Sequence, residues 1–449
     1  MASDIHSISG FPEWLPREKM IEEEFLEKIQ RVFRLHGFCP VETPAVERAS
    51  TLIAKGGNEK EIYKIRRLHA SDDAVESGDH DLALHFDLTV PMARYVAQYE
   101  HHLVFPFRRY QMQPVWRGER AQAGRFRQFY QCDIDIVGRE TLPISCDAEI
   151  PSVMAGIFRS FAIGEFQICI NNRKILQGFL SSKGIEILHH HAVMGCIDKL
   201  EKIGKEAVIE EVRKIVHDAS FDVAEILDFL SKNIAHDRVA DLLAVSSHEL
   251  YQAGVAELIQ VVNLTLAKGV LPSELVIDLS IARGLDYYTG TVFETRLVKY
   301  PQIGSVCSGG RYEDLVGSFA QGNFPGVGMS IGLTRLLSQL FRYQVVIPGP
   351  HSYTKMLIAT LSSEDATILY AEQFASQLRD WGIACEISLA SGSKAAKHIE
   401  YATRKGIPFV AFIGETEATQ RSVAVKNLSA RTQTSVVFSD EGFFREICK

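Results

Sequence analysis

The alternation of apolar and polar positions predicts a long antiparallel hairpin in the first third of the chain. Its two strands run from Arg109 to Trp116 and from Phe126 to Val137, around a short loop rich in Arg, Gly, Ala and Gln. Residues two apart on a strand share a face, so Gln131, Asp133 and Asp135 point the same way. The other charged residues crowd the tip and its flanks: Arg117, Glu119, Arg120, Arg125 and Arg127.

This distribution of charge predicts a binding site. Guanidinium groups at one end and carboxylates at the other suit a ligand with an anionic and a cationic part. The planar fork of Arg can also engage two phosphate oxygens at once. The alternative is an exposed hairpin with solvated charges. Polar residues interrupt both strands at once, which favours the ligand.

Other periodic segments surround the hairpin. Apolar positions from Arg17 to His36 recur at helical spacing. The segment from Leu82 to Ala97 passes from a short strand into a helix, with Asp87 and Thr89 at the join, where they could cap the helix. Long helical stretches fill about 173 to 268. After a linker near Ile347, strands and helices alternate, which predicts an α/β domain with a largely parallel sheet.

Composition narrows the class of protein. A chain of 449 residues predicts two or three domains. No apolar run approaches the roughly 20 residues of a membrane span, and the N-terminus lacks the layout of a secretory signal. The eight cysteines include no Cys-x-x-Cys pair, so a reduced, cytoplasmic setting is expected without a zinc site. The net charge of -8 argues against nonspecific coating of nucleic acid.

One histidine run could be read as a metal site. His189, His190 and His191 are consecutive, near the start of the helical stretch. Three consecutive side chains do not all converge on one ion, so a solvated surface run is the preferred interpretation.

The hairpin tip resembles a known sequence motif. Trp116-Arg117-Gly118-Glu119-Arg120, followed by Gly124-Arg125-Phe126-Arg127-Gln128-Phe129, is similar to motif 2 of class II aminoacyl-tRNA synthetases, and in detail to that of histidyl-tRNA synthetases. The segment Gly326 to Leu336, ending Gly-Leu-Thr-Arg-Leu, resembles motif 3, and Pro44 resembles the proline of motif 1.

Two further stretches resemble motifs private to the histidyl enzymes. They are Arg283-Gly-Leu-Asp-Tyr-Tyr288, which precedes a strand ending Val-Phe-Glu, and Ser308-Gly-Gly-Arg-Tyr-Glu-Asp-Leu315. The paired glycines of the second stretch, Gly309 and Gly310, allow close backbone approach to a ligand. The resemblance covers nearly the whole chain in the family's order. The family's usual Arg-Tyr before Asp87 is replaced here by His85-Phe86.

The resemblance implies an α+β fold. It comprises a class II antiparallel-sheet catalytic core at 1–172 and 271–346, a helical insertion at 173–270 that contacts the tRNA, and a C-terminal α/β anticodon-binding domain at 352–449. It implies ATP-dependent activation of L-histidine to histidyl-adenylate, followed by transfer to the 3′ end of histidine tRNA, with Mg²⁺. A homodimer in the cytoplasm, without membrane attachment, is expected.

The resemblance also assigns roles to residues. Catalytic roles fall to Arg117 and Arg283, the latter as a fixed cation at the α-phosphate. The histidine-binding set is Asp87, Leu88, Thr89, Arg117, Gln131, Asp135, Arg283, Tyr287 and Tyr288. The ATP-binding set is Arg117, Glu119, Arg125, Phe129 and Arg335. In these sets Asp87, Thr89 and Gln131 hold the α-ammonium group, and Asp135 and Tyr288 bond the imidazole nitrogens.

A second function is the main alternative. Catalytically inactive paralogues that resemble this core act as histidine-sensing regulatory subunits of ATP phosphoribosyltransferase. They typically lack the anticodon-binding domain and have degraded private motifs. Here Arg117, Arg283 and Arg335 are all present, which favours the enzyme.

Overall fold

The computed structural model describes residues 5–54, 59–66, 81–120, 124–197, 203–217, 221–281, 288–313, 316–319 and 321–448. These residues form two compact units. The first runs to Val346 except for 14–21, and the second comprises 14–21 together with the chain from Ile347 onward. Arg283 and Tyr287, both predicted site residues, lie outside the described residues. None of the described helices is both long and apolar enough to cross a membrane.

The first unit is built on a nine-stranded sheet and a small three-stranded sheet. The large sheet has the order β1-β5-β6-β12-β11-β10-β7-β9-β8, and the small one β2-β4-β3. The strands are β1 (Cys39–Pro40), β2 (Val46–Arg48), β3 (Lys64–Ile65), β4 (Leu82–Leu84), β5 (Phe107–Trp116), β6 (Gln128–Val137), β7 (Phe166–Asn172), β8 (Asn233–Ala235), β9 (Leu275–Asp278), β10 (Thr291–Leu297), β11 (Ser305–Tyr312) and β12 (Gly326–Gly332).

The predicted hairpin is confirmed as β5 and β6. The two strands pair antiparallel in continuous register from Phe107 opposite Val137 to Trp116 opposite Gln128. On β6 the side chains of Cys132, Ile134 and Ile136 are fully buried and apolar. The alternate residues from Gln131 to Asp135 face the opposite side of the sheet. Gln131, Asp133 and Asp135 therefore share the polar face of the hairpin, where they line a cavity.

Helices surround these sheets and fill the insertion. Before Ile347 they are α1 (Pro16–Leu35), α2 (Ala49–Ile53), α3 (Thr89–Tyr99), α4 (Glu149–Phe161), α5 (Arg173–Ser182), α6 (Ile187–Ile197), α7 (Lys205–Val216), α8 (Val223–Leu230), α9 (Glu249–Ala267) and α10 (Leu333–Arg342). The predicted strand-to-helix segment at Leu82 is confirmed by β4 and α3. The amphipathic helix predicted from Arg17 to His36 is α1, and motif 3 is the passage from β12 into α10.

The insertion is not purely helical. Strand β8 lies within it and pairs antiparallel with β9, so the insertion supplies the edge strand of the nine-stranded sheet. Helices α5 and α9 also pack against each other. The division into compact units does not separate 173–270 from the rest of the first unit. The limits of the insertion therefore remain a prediction.

The second unit is an α/β domain, as predicted. Its sheet has the order β14-β13-β15-β16-β17, formed by β13 (Met356–Thr360), β14 (Cys385–Ile387), β15 (Phe409–Ile413), β16 (Ser422–Asn427) and β17 (Thr432–Val437). Its helices are α11 (Asp365–Asp380), α12 (Ala395–Lys405), α13 (Glu415–Gln420) and α14 (Glu441–Ile447). Only β13, β14 and β15 are parallel, because β16 and β17 form an antiparallel extension. The sheet is thus mixed rather than largely parallel.

Candidate active site

A cavity of about 490 Å³ lies on the polar face of the hairpin. Its walls come from the hairpin, the start of α3, strands β11 and β12, and the first turn of α10. Ten of the predicted site residues line it: Asp87, Thr89, Arg117, Glu119, Arg125, Phe129, Gln131, Asp135, Tyr288 and Arg335. The side chain of Leu88 is fully buried, and Leu88 is not among the residues that line this cavity.

One end of the cavity is cationic. The Nε of Arg117 donates to the carbonyl oxygen of Phe86 at 3.0 Å, and its guanidinium lies 5.1 Å from the centre of the Phe129 ring. Glu119 is near both neighbouring guanidinium groups, at 3.3 Å from Arg125 and 3.9 Å from Arg117. Arg335, in the first turn of α10, lines the same cavity. Arginine forks so arranged suit the oxygens of a polyphosphate.

The other end is anionic and deeply buried. Asp135 forms an ion pair of 2.5 Å with the fully buried Arg109. The hydroxyl of Tyr312 donates to the other oxygen of Asp135 at 3.0 Å. Gly328, opposite Asp135 on β12, makes room for this carboxylate, because a Cβ there would lie 2.3 Å from its oxygen. The carboxylate of Asp135 is thus held in one orientation from three sides.

Asp87 joins β4 to α3 and faces the same end. Its Oδ1 accepts a hydrogen bond of 3.2 Å from the backbone N–H of Val90, so it caps the helix as well as lining the cavity. Just after it, the carbonyl oxygen of Leu88 accepts from Arg109 at 3.4 Å. The capping and the ligand-binding interpretations of Asp87 are therefore compatible. The preceding His85 bonds the carbonyl oxygen of Pro114 and packs on Trp116 instead of entering the cavity.

Burial shifts the acid–base properties of the three aspartates. Burial raises the pKa of Asp87 to about 6, although the Val90 N–H, Arg117 and Arg109 oppose the rise. Burial likewise raises the pKa of Asp133 to about 7, against the attraction of Arg109. The pKa of Asp135 is also raised by burial, with Arg109 and Tyr312 lowering it in part. A positively charged ligand beside these carboxylates would favour their charged forms, because an opposite charge lowers the pKa of an acid.

Tyr288 lies against the paired glycines of β11. A Cβ on Gly310 would lie 2.9 Å from the Tyr288 ring, and one on Gly309 would lie 2.1 Å from the carbonyl oxygen of Gly328. These glycines therefore admit a tyrosine ring and a neighbouring strand, and Gly310 also lines the cavity, so its predicted close approach to a ligand stays a prediction. The guanidinium of Arg173 donates to the carbonyl oxygen of Tyr288 at 2.7 Å.

The set of predicted site residues does not include four residues of the anionic end. Arg109, Asp133, Tyr312 and Ser330 all face it, and none of them was assigned a role. The sequence did contain a signal for Arg109. In the register of the hairpin Arg109 lies opposite Asp135, and Gln113 lies opposite Gln131. Polar residues at alternate positions on both strands of a hairpin share one face. Tyr312 and Ser330 come from strands far along the chain, and no local pattern places them there.

The histidine run is only partly exposed. His190 is buried and its Nε2 bonds the carbonyl oxygen of Ile185 at 3.0 Å, so the prediction of a solvated run is wrong for this residue. Within the part of the chain that the structure describes, no group of three or more His, Cys, Asp or Glu side chains could hold a metal ion.

Comparison with known proteins gives consistent matches. The family model for histidyl-tRNA synthetase matches residues 10–336, and the model for the anticodon binding domain matches 355–441. The histidine–tRNA ligase of Xylella fastidiosa (strain 9a5c) is 43% identical over 446 residues, covering 95% of this chain and 94% of that protein. A crystal structure of histidyl-tRNA synthetase from Nostoc sp. PCC 7120 is 38% identical, with a TM-score of 0.89 and 99% of both chains covered.

A more distant structure bears on the alternative function. A protein from Bacillus halodurans, described as an ATP phosphoribosyltransferase regulatory subunit/histidyl-tRNA synthetase, superposes with a TM-score of 0.73 at 18% identity. It covers 92% of this chain and 99% of its own. A likeness at that identity shows the fold alone.

The sheet, the motif 2 hairpin and the passage from β12 into α10 define a class II aminoacyl-tRNA synthetase fold. The family model covers residues 10–336, and a relative 43% identical covers 95% of this chain, so the chain belongs to the histidyl-tRNA synthetase family.

Proposed function

We infer that this chain is an ATP-dependent enzyme that activates L-histidine and transfers it to histidine tRNA. The observation that supports this most directly is the cavity, where arginines occupy one end and buried aspartates the other. ATP and the carboxylate of histidine are anionic, whereas the α-ammonium group is cationic, so the two ends match the two parts of the reactants. The histidine-sensing alternative is the less supported of the two functions, since it gives no reason for the cationic end.

The first step forms a bond between a histidine carboxylate oxygen and the α-phosphorus of ATP. The bond from that phosphorus to the bridging oxygen breaks, and pyrophosphate leaves. Positioning and charge neutralisation supply most of the catalysis. In our proposal Arg117 holds the α-phosphate and the substrate carboxylate, while Arg125 and Arg335 hold the γ-phosphate. Arg283 is the fixed cation at the α-phosphate.

The adenine base and Mg²⁺ are also proposed to bind at the cationic end of the cavity. Glu119 reads the adenine edge, and the ring of Phe129 stacks on the base. Magnesium prefers oxygen ligands and is usually held by substrate phosphates with one or two carboxylates. Mg²⁺ would be carried chiefly by the phosphates of ATP, where it would neutralise their charge. Glu119 is an acidic side chain beside Arg117 and Arg125.

The anionic end is proposed to recognise histidine. Asp87, Thr89 and Gln131 accept hydrogen bonds from the α-ammonium group, while Asp135 and Tyr288 bond the two imidazole nitrogens, with Tyr287 beside them. A carboxylate can accept about four hydrogen bonds. Since Arg109 and Tyr312 use two on Asp135, acceptor capacity remains for an imidazole N–H. A site built for both ring nitrogens disfavours side chains that leave them unpaired.

The second step transfers the histidyl group to the terminal adenosine of the tRNA. A ribose hydroxyl attacks the activated carbonyl carbon, and AMP leaves. The second unit is the anticodon-binding domain of this scheme, and the insertion is proposed to contact the acceptor arm. A homodimer and a cytoplasmic location complete the proposal.

Pyrophosphate exchange tests the first step without tRNA. Histidine-dependent incorporation of labelled pyrophosphate into ATP is expected, and Arg117→Ala and Arg283→Ala should each reduce its rate by roughly 10²–10³-fold. Arg238→Ala is a matched control, because Arg238 is exposed and pairs only locally with Asp241 among the described residues. Wild-type protein that binds histidine but shows no exchange would contradict the enzymatic function and favour the histidine sensor.

A further inference from the structure

Asp133 occupies the centre of the polar face of β6. It lies two residues from Gln131 on one side and two from Asp135 on the other, so the three side chains line the same wall. Only 3% of Asp133 is exposed. The predicted roles for this wall use its two ends, Gln131 and Asp135, and leave the central carboxylate without one.

The hydrogen bonds along this wall leave two oxygens available. Gln131 donates from Nε2 to the hydroxyl of Ser330 at 2.8 Å. Ser330 lies directly opposite Asp133 on β12, and its hydroxyl favours the charged form of that carboxylate, which lowers the pKa in part. No described residue donates to the Oδ1 of Asp133 or to the Oε1 of Gln131, although both atoms are buried. Two neighbouring acceptors with buried, unpartnered oxygens require donors from outside the described protein groups.

The balance of charge specifies what kind of donor this is. Asp87, Asp133 and Asp135 all interact electrostatically with Arg109, the fully buried cation at this end. Arg109 is itself bound to Asp135. A positively charged donor with several N–H groups would bond the free oxygens and offset the excess negative charge. An ammonium ion, with three N–H donors, has this chemistry.

We propose that Asp133 is a specificity-determining ligand of the α-ammonium group of the amino-acid substrate. It binds that group together with Gln131 and Asp87, with Ser330 opposite it on β12. This inference rests on the proposed function, because it takes histidine as the substrate. Asp135 has a different proposed role: its carboxylate, already bound by Arg109 and Tyr312, accepts from an imidazole N–H.

The test removes the charge of Asp133 by substitution and, separately, the ammonium group of histidine by use of an analogue. Full-length wild type and Asp133→Asn are titrated by calorimetry, without ATP, with L-histidine and with 3-(imidazol-4-yl)-2-hydroxypropanoate. The second ligand differs from histidine only in a hydroxyl at the position of the ammonium group. Asp133→Asn is expected to weaken histidine binding by roughly 10–100-fold, and binding of the hydroxy analogue by less than about 3-fold.

Two further variants calibrate this result. Asp87→Asn, at a residue already proposed to bind the ammonium group, should reduce the preference for histidine in the same sense. Asp241→Asn, an exposed residue of the insertion, should leave the affinities for both ligands unchanged. Thermal unfolding of each variant reports whether the fold is retained.

Several outcomes would overturn the proposal. Equal weakening of both ligands by Asp133→Asn would mean that the residue supports the cavity or the imidazole instead of the ammonium group. Unchanged histidine affinity in Asp133→Asn would show that Asp133 does not bind the ammonium group. Wild-type protein that binds histidine and the analogue equally would show that the ammonium group is not recognised at all. The exchange assay separates the role of Asp133 from the proposed function. Selective histidine binding without exchange would contradict the enzymatic function and would still support the role of Asp133.

Discussion

Strand β6 of the first unit and strand β15 of the second are both interior strands of their sheets and both largely buried, yet their compositions differ. All five residues of β15, Phe409–Ile413, are buried and apolar. The last seven residues of β6 are also buried, but Gln131, Asp133 and Asp135 alternate with the apolar ones. Burying a carboxylate costs several kcal/mol unless it is paired. A strand that retains such groups is less stable than an apolar one would be.

This difference separates a strand that only stabilises the fold from one that also binds. Around β6 the neighbouring elements accommodate the charges: Arg109 pairs with Asp135, and Tyr312 donates to it. Around β15 the neighbours are an apolar cluster that includes Leu357 and Ala402. The same sheet architecture therefore supports an apolar core in one unit and a polar cavity in the other, according to which side chains the adjacent strands supply.

The largest effect is expected from placing a carboxylate in the apolar strand. Ala411→Asp introduces a charge at a fully buried position of β15 within an apolar cluster. We expect the free energy of unfolding of the second unit to fall by more than about 4 kcal/mol. Denaturant unfolding followed by circular dichroism measures this. Ser435→Asp, on the exposed side of β17, is the control and should change stability by about 0.5 kcal/mol or less.

A somewhat smaller effect is expected from removing the cation beside the polar strand. Arg109→Met leaves Asp135 buried without its ion-pair partner. We expect the free energy of unfolding to fall by about 3–5 kcal/mol at neutral pH. The double variant Arg109→Met/Asp135→Asn should recover much of the loss, because the uncompensated charge is then gone. Recovery of none of it in the same denaturant titration would show that Arg109 acts through packing and not through charge.

The smallest effect concerns the pH dependence of stability. Because burial raises the pKa of Asp133 from 3.8 to about 7, the folded protein binds this proton more tightly than the unfolded chain. The contribution of the group to stability is therefore most favourable below its unfolded pKa and is lost as pH rises through the folded pKa. Asp133→Asn lacks this titration.

The free energy of unfolding of Asp133→Asn should therefore rise relative to that of the wild type as the pH rises. Between about pH 5 and about pH 8, the free energy of unfolding of Asp133→Asn is expected to increase by roughly 1–3 kcal/mol relative to wild type. Urea titrations of both proteins without histidine at the two pH values measure the difference. A difference that is constant with pH would mean that Asp133 titrates at its ordinary pKa and that the cavity is better solvated than its burial indicates.

Much of the fold follows from local patterns. The hairpin, the helix after Asp87 and the strand–helix alternation beyond Ile347 were predictable because periodicity reports which face of an element is buried. Strand β8 was not, since three residues inside a helical stretch carry too little periodicity to stand out. The antiparallel β16 and β17 were likewise missed, because strand direction depends on connections and not on composition.

For the candidate site, the sequence alone determined the residue types and the family. Motif 2, the private motifs and the alternation of Gln131, Asp133 and Asp135 are contiguous in the chain, so they can be read without a structure. The tertiary structure alone decided which carboxylates are paired. Tyr312 reaches Asp135 across 177 positions and Ser330 reaches Gln131 across 199. Such contacts depend on the register of strands far apart in the sequence, which no local pattern encodes. They leave the Oδ1 of Asp133, a residue that lines the cavity, as a buried acceptor without a partner among the described residues.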